Sequence, residues 1–302
     1  MTNKLILAIF VLFAIVIWGC APDVEDQSEQ SLWDTKGHLI ILGGGPRPDI
    51  IMQKVVELSS DGTFLLIPMA SSIPDTIGWE QRDQLLGFGA NEVEILMLTE
   101  DDKDNPALLE QLRNANGIWF SGGDQNRLMD YFSDSMRDAV REAFKNGAVV
   151  AGTSAGAAVQ SRTMITGDES QPLSDRFSPF SQITKDNVIT SEGFGFLNSM
   201  VIDQHFIRRN RLNRLINVLI DSSDDVAAAG IDEATALWFA PNGRVEVIGE
   251  SQVILIQKTN EFTRKYSGSL PAASNLKMHI LPPGSEFFWD GRSISRVQLA
   301  GD

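Results

Sequence analysis

The sequence predicts an α/β domain, a mostly parallel sheet sandwiched by helices, with antiparallel strands at its C-terminal edge. Three observations carry this. From residue 38 to 153, short apolar runs alternate with helix-patterned stretches of 8–13 residues, the rhythm of βα units. Those apolar runs are continuous, as in strands buried on both faces. After about residue 225 short strand-like runs separated by turns replace the helices.

The elements follow in order. His38–Leu42 (HLIIL), bounded by Gly37 and by Gly43-Gly44-Gly45, reads as a buried strand. Asp49–Leu58 has apolar residues at 51, 52, 55, 56 and 58, which is helical spacing. Phe64–Ile67 is a second strand, closed by Pro68; Thr76–Phe88 is a helix and Glu92–Leu98 a strand. Pro106–Arg113 starts a helix with proline in its first turn. Gly117–Phe120 is a strand, Ser133–Lys145 a helix stopped at Asn146-Gly147, and Ala148–Ala151 a strand that runs into Gly152. Val226–Gly230, Thr235–Phe239, Arg244–Ile248 and Val253–Gln257 are expected to extend the sheet edge, with turns such as Pro241-Asn242-Gly243. In the tail, Phe287, Phe288 and Trp289 read as core or edge packing.

The N-terminus stands apart from this pattern. Lys4 precedes an unbroken apolar run of 14 residues, Leu5–Trp18. That suits a signal-peptide core and is shorter than the ~20 residues of a spanning helix. Gly19 then precedes Cys20, the only cysteine in the chain. A small residue before a cysteine at the end of such a run resembles a bacterial lipobox, with Trp18 where a small residue is usual. The expected organisation is a signal peptide over 1–19, a lipidated Cys20 with a flexible acidic tether over 20–36, and one domain over 37–302. It places the domain outside the cytoplasm on a lipid anchor, the only membrane contact expected, in the periplasm or at the cell surface.

Composition narrows the function. The 302 residues are 43% hydrophobic and 22% charged, and the net charge is −15. So acidic a chain argues against nucleic-acid binding. One cysteine excludes an internal disulfide, and with three histidines a metal site would be sparse. A homodimer is compatible with the sequence, which does not set the oligomeric state.

Candidate chemistry lies in three places. Gly152-Thr153-Ser154-Ala155-Gly156 matches G-x-S-x-G directly after a predicted strand, so Ser154 would stand on a sharp strand-to-helix corner with the Ala155 amide facing an oxyanion. Gly122-Gly123-Asp124-Gln125 follows another strand end. The Gly123 amide could be a second oxyanion donor and Gln125 a substrate contact, or the segment is a plain turn with Asp124 as helix cap. Asp203-Gln204-His205-Phe206 is followed by Arg208, Arg209, Arg211 and Arg214. His205 suits a general base. The arginines are expected on a helix that starts just after it, facing carboxylates, which guanidinium grips in bidentate fashion. The group orienting the histidine is open among Asp168, Glu169, Asp175, Asp232 and Glu233.

Four motifs, GGDQ (122–125), GTSAGA (152–157), DQHFIRRNRLNRL (203–215) and GIDEATAL (230–237), together resemble the peptidase family of cyanophycinases and dipeptidase E. Their order and spacing are closer to cyanophycinases, and the likeness covers roughly residues 38–257. The resemblance implies a class I glutamine amidotransferase-like (flavodoxin-like) fold with serine in place of cysteine. It implies Ser154 as nucleophile and His205 as base. It puts the triad acid in MITGDES (164–170), with Glu169 the best match by offset and Asp168 its rival. It maps the substrate pocket onto Gln125, Asp203, Gln204, Arg209, Arg211 and Arg214. The implied substrate is cyanophycin, a poly-aspartate backbone with arginine on each side chain, cut to β-Asp-Arg through an acyl-enzyme without metal or cofactor. An acidic surface would draw the polymer's guanidinium groups.

Three other readings stay open. One is an exopeptidase for Asp-containing or isoaspartyl dipeptides, and another a non-catalytic lipid-anchored binding protein on the same scaffold. The third is an α/β-hydrolase esterase using His279, which sits in an alternating run (LKMHIL) that reads as strand core.

Overall fold

A computed structural model describes residues 33–59, 62–170 and 180–301. The signal peptide, Cys20 and the tether up to residue 32 lie outside the described residues, as does Asp175. In chain order the elements are β1 (His38–Leu42), α1 (Asp49–Leu58), β2 (Thr63–Ile67), α2 (Pro74–Gly87), β3 (Glu92–Ile95), α3 (Pro106–Arg113), β4 (Gly117–Phe120), α4 (Gln125–Asp130), α5 (Asp134–Asn146), β5 (Val149–Thr153) and α6 (Ala155–Ala158). There follow β6 (Thr163–Glu169), β7 (Val188–Glu192), β8 (Met200–Asp203), α7 (Leu212–Asp221), β9 (Ala227–Ile231), β10 (Thr235–Phe239) and β11 (Arg244–Gly249). The chain closes with β12 (Val253–Ser267), β13 (Leu270–Leu281), β14 (Glu286–Trp289) and β15 (Ile294–Gln298).

Local chemistry sets the helix ends. The Asn105 side chain accepts from the amides of Ala107 and Leu108 at the start of α3, and Ser133 accepts from Met136 at the start of α5. Gly147, at φ 128°, ends α5 in a conformation that costs glycine little.

The nine-stranded sheet runs β15-β14-β11-β10-β1-β5-β4-β2-β3. Its β1, β5, β4, β2 and β3 are parallel, and β10, β11, β14 and β15 extend it antiparallel. The continuous apolar runs serve both faces. Leu39, Ile41, Leu65 and Ile67 enter one core, while Ile40, Leu42, Phe64 and Leu66 enter the other.

Four strands form a second sheet, β13-β12-β9-β8. Two runs expected at the edge of the main sheet, now β9 and β12, belong here, with β9 parallel to β8 and antiparallel to β12. The reason is packing. Ala228 and Ile256 bury one face against Leu215, Val218 and Leu219 of α7, while Ala229 and Leu255 bury the other in the core shared with the main sheet. The LKMHIL run lies in β13, the edge strand of this sheet, where Met278 and Ile280 are exposed and His279 is half-buried, so it is no strand core.

Two boundaries shift. The strand expected over Glu92–Leu98 ends at Ile95. Residues 33–36, expected as the end of the tether, pack onto the domain: Trp33 is 7% exposed, and its indole N–H donates to the Ala240 carbonyl at 2.9 Å.

Candidate active site

The two sheets meet at the carboxyl ends of β1, β5, β8 and β9, where open α/β sheets place their ligands. Each sheet brings part of the site. Ser154 follows β5 of the main sheet, whereas His205 and Glu233 follow the paired strands β8 and β9 of the second.

Ser154 has φ 54° and ψ −108°, a backbone conformation that non-glycine residues rarely hold. Its neighbours over-determine it. The Ser154 amide donates to the Leu42 carbonyl at the end of β1, and its carbonyl accepts from the Ala157 and Ala158 amides, each at 3.0 Å. Gly156 lets α6 ride directly on β4, since a Cβ there would be driven into the Phe120 carbonyl. The turn lifts the serine side chain out of the strand.

His205, also at positive φ (46°), donates its amide to the Gly43 carbonyl at 2.7 Å. A Cβ on Gly44 would stand 2.5 Å from the imidazole Cε1, so the glycine turn after β1 is the seat of the ring. His205 Nε2 lies 2.9 Å from Ser154 Oγ, and Nδ1 lies 2.6 Å from Glu233 Oε1. The carboxylate can only accept, so Nδ1 carries the proton and Nε2 is left to accept from the serine. Burial holds the imidazole below its ordinary range, the Glu233 hydrogen bond pulls it up, and Arg209 pushes it down again. The ring is therefore neutral near pH 7, as a base must be.

The carboxylate facing His205 is thus Glu233, not Glu169. Glu169 Oε1 accepts from the Phe180 amide at 2.7 Å and from Asn187 Nδ2 at 3.2 Å, and it anchors the chain where it returns to the site. Asp168 lines the cavity without touching His205. Asp232 supports the histidine loop, accepting from the Arg208 amide and from Ser251 Oγ. Glu233 stood among the sequence candidates, and its signal was the GIDEATAL motif. What that motif does not carry is the pairing of β9 with β8, which brings 203–205 and 232–233 together. His279 is likewise not the partner of Ser154; that place is taken by His205.

Ser154 opens into a cavity of about 660 Å³. Gly123, Gln125, Gln204, Arg209, Arg211 and Arg214 are among the residues that line it. Asp203 does not line it but holds its wall. Arg214 grips Asp203 side-on, Nε to Oδ2 at 2.7 Å and Nη2 to Oδ1, and both side chains are buried. Arg211 donates to the Gln204 carbonyl at 2.8 Å and stands 3.8 Å from Asp203 Oδ1. Burial and the neighbouring Arg214 push the Arg211 guanidinium down to about 10, the mark of crowded positive charge. Arg209 is exposed and makes no ion pair among the described residues. Phe180 covers the Arg214 guanidinium at 5.2 Å.

The helix expected just after His205 begins only at Leu212, because His205 and Asn210 (φ 52°) both take left-handed turns. Arg208, Arg209 and Arg211 therefore sit on a loop, and only Arg214 is on α7. Gln125 also differs from expectation. Its Nε2 donates to the Ile165 and Thr166 carbonyls, so that end of the side chain holds β6. Asp124 caps α4, accepting from the Asn126 and Arg127 amides. The Gly123 and Ala155 amides have no acceptor among the described residues. Both stand by the serine: Gly123 lines the cavity with it, and Ala155 follows it.

This arrangement coincides with what the chain is similar to. The model of peptidase family S51 matches residues 39–248. The cyanophycinase of Trichormus variabilis is 32% identical over 288 residues, covering 91% of this chain and 92% of the relative. That of Geminocystis herdmanii is 31% identical over 238 residues, covering 76% and 83%. A crystal structure of a peptidase from an acI-B1 actinobacterium superposes with a TM-score of 0.61 at 25% identity, covering 85% of this chain and 98% of that one. The family match takes in β1 through nearly all of β11, and with it both halves of the site, so the chain is a cyanophycinase-like peptidase belonging to family S51.

Proposed function

We propose that this peptidase hydrolyses cyanophycin to β-Asp-Arg dipeptides through an acyl-enzyme on Ser154. The observation that carries the proposal is the hydrogen-bonded row Ser154–His205–Glu233 opening into a cavity walled by Arg209, Arg211 and Arg214. Those guanidinium groups suit the carboxylates the polymer keeps free, the one that ends its backbone and the α-carboxylates of its arginines.

In this reading His205 Nε2 takes the proton as Ser154 Oγ attacks the aspartyl carbonyl. Glu233 holds the imidazole in the required tautomer and stabilises the imidazolium. The Ala155 and Gly123 amides receive the oxyanion. The tetrahedral intermediate collapses, the backbone C–N bond breaks, and His205 returns the proton to the leaving amine. Water then enters, His205 takes its proton, and as the acyl–oxygen bond breaks His205 returns the proton to Ser154 Oγ. Gln125, Gln204 and Asp203 serve by shaping the wall, Asp203 through its grip on Arg214.

Cleavage before Cys20, lipidation of its thiol and display outside the cytoplasm complete the proposal. They rest on the apolar run and the Gly19-Cys20 pair. The test is to incubate residues 21–302 with insoluble cyanophycin and identify the products by mass spectrometry, with Ser154→Ala as control. Release of β-Asp-Arg by the unaltered protein alone is expected. A folded protein that releases nothing from cyanophycin but cleaves α- or β-aspartyl dipeptides would replace the polymer with small peptides as substrate.

A further inference from the structure

The arginine wall is only one side of the chemistry in this cavity. Thr166, Gly167 and Asp168 line it too, and their presence there has a structural cause. The β6–β7 ladder slips between Ile165 and Glu169, so the intervening residues leave the ladder. Gly167 takes φ 103°, the Asp168 amide turns back onto Thr166 Oγ1 at 3.3 Å, and Gln125 clamps the Ile165 and Thr166 carbonyls. Bulges beside active sites re-aim side chains in this way.

Asp168 is exposed and has no side-chain hydrogen bond or ion pair among the described residues. The other acid on the lining, Asp124, spends Oδ1 on the start of α4. The cavity thus presents an uncommitted carboxylate, Asp168, and an uncommitted guanidinium, Arg209. They do not meet, since no ion pair within 4.0 Å joins them. Two opposite charges held apart in one cavity complement a ligand that carries both.

We propose that Asp168 is a specificity-determining residue that receives the cationic side group of the substrate, a guanidinium, while the arginine wall holds the backbone carboxylate. This rests on the cavity being the substrate site, as proposed above. It predicts that arginyl units are preferred over neutral ones of the same shape.

The test compares two soluble oligomers, β-Asp-Arg trimer and the same trimer with citrulline in place of arginine, which keeps the shape and removes the charge. The unaltered protein is expected to favour the arginine form by about tenfold in kcat/KM, the order of one charge-assisted hydrogen bond. Asp168→Asn is expected to lose that preference by losing more activity on the arginine form than on the citrulline form, and Asp168→Lys to invert it. Asp168→Glu should retain it. An Asp168→Asn protein with an unchanged ratio overturns the proposal, and so does an equal loss on both oligomers, which would make Asp168 a structural support. If the unaltered protein cleaves neither, the substrate reading fails. The ratio is then read from the affinities of the two oligomers for Ser154→Ala by calorimetry, where equal binding likewise overturns the role of Asp168.

Discussion

His205 decides how the chemistry responds to pH. Burial is the largest influence on it and lowers its pKa from 6.5, with Glu233 opposing. A base with a lowered pKa stays neutral further into acid, so activity should fall only as pH drops through that value. The acid limb of kcat/KM is expected to have its midpoint below 6.5, measured on the purified protein. The arginines separate by burial in the same way. Arg214 and Asp203 are 3% and 1% exposed, and removing one partner of such a pair strands the other charge. Arg214→Met should therefore cost about 3–5 kcal/mol of stability in denaturant unfolding. Arg209→Ala, at an exposed position, should leave stability within about 0.5 kcal/mol and raise KM.

At the level of elements, the site depends on where strands end. β1 sends its carboxyl end to Gly43 and Gly44, which carry the His205 amide and ring. Gly44 also sits at φ 107°, so Gly44→Ala should both strain the turn and displace the imidazole. Turnover is expected to drop about 100-fold or more while circular dichroism stays near-native. The sequence made the parallel half of the main sheet legible, because continuous apolar runs and capped helices are local signals. It made Ser154 and His205 legible because their motifs are contiguous. The assignment of β9 and β12 to a second sheet was not legible, since a strand's partner is fixed by distant packing against α7. The choice of Glu233 among the candidate carboxylates was undecided for the same reason. Glu169 is nearer to Ser154 in sequence, but Glu233 is delivered by the β8–β9 pair.

Across the whole molecule, the described chain begins by closing on its own C-terminal part. Trp33 donates its amide to the Asp290 carbonyl and its indole N–H to Ala240, and its ring packs beside Phe144 and Phe239. Trp33→Ala, or a chain begun at residue 37, should lose about 3–5 kcal/mol, read as a lowered denaturation midpoint. A domain that truly began at residue 37 would show no change. In the proposed mechanism Ser154, His205 and Glu233, a row drawn from two sheets, act as one catalytic unit. The most direct test of this is the turnover of Glu233→Gln on saturating cyanophycin beside the unaltered protein and Glu169→Gln. The geometry predicts that Glu233→Gln loses about 10²–10⁴-fold in kcat, because the neutral glutamine no longer stabilises the imidazolium and its amide N–H can donate to Nδ1 and favour the wrong tautomer, while Glu169→Gln keeps its kcat within a few-fold. Full turnover by Glu233→Gln together with the collapse of Glu169→Gln would contradict it.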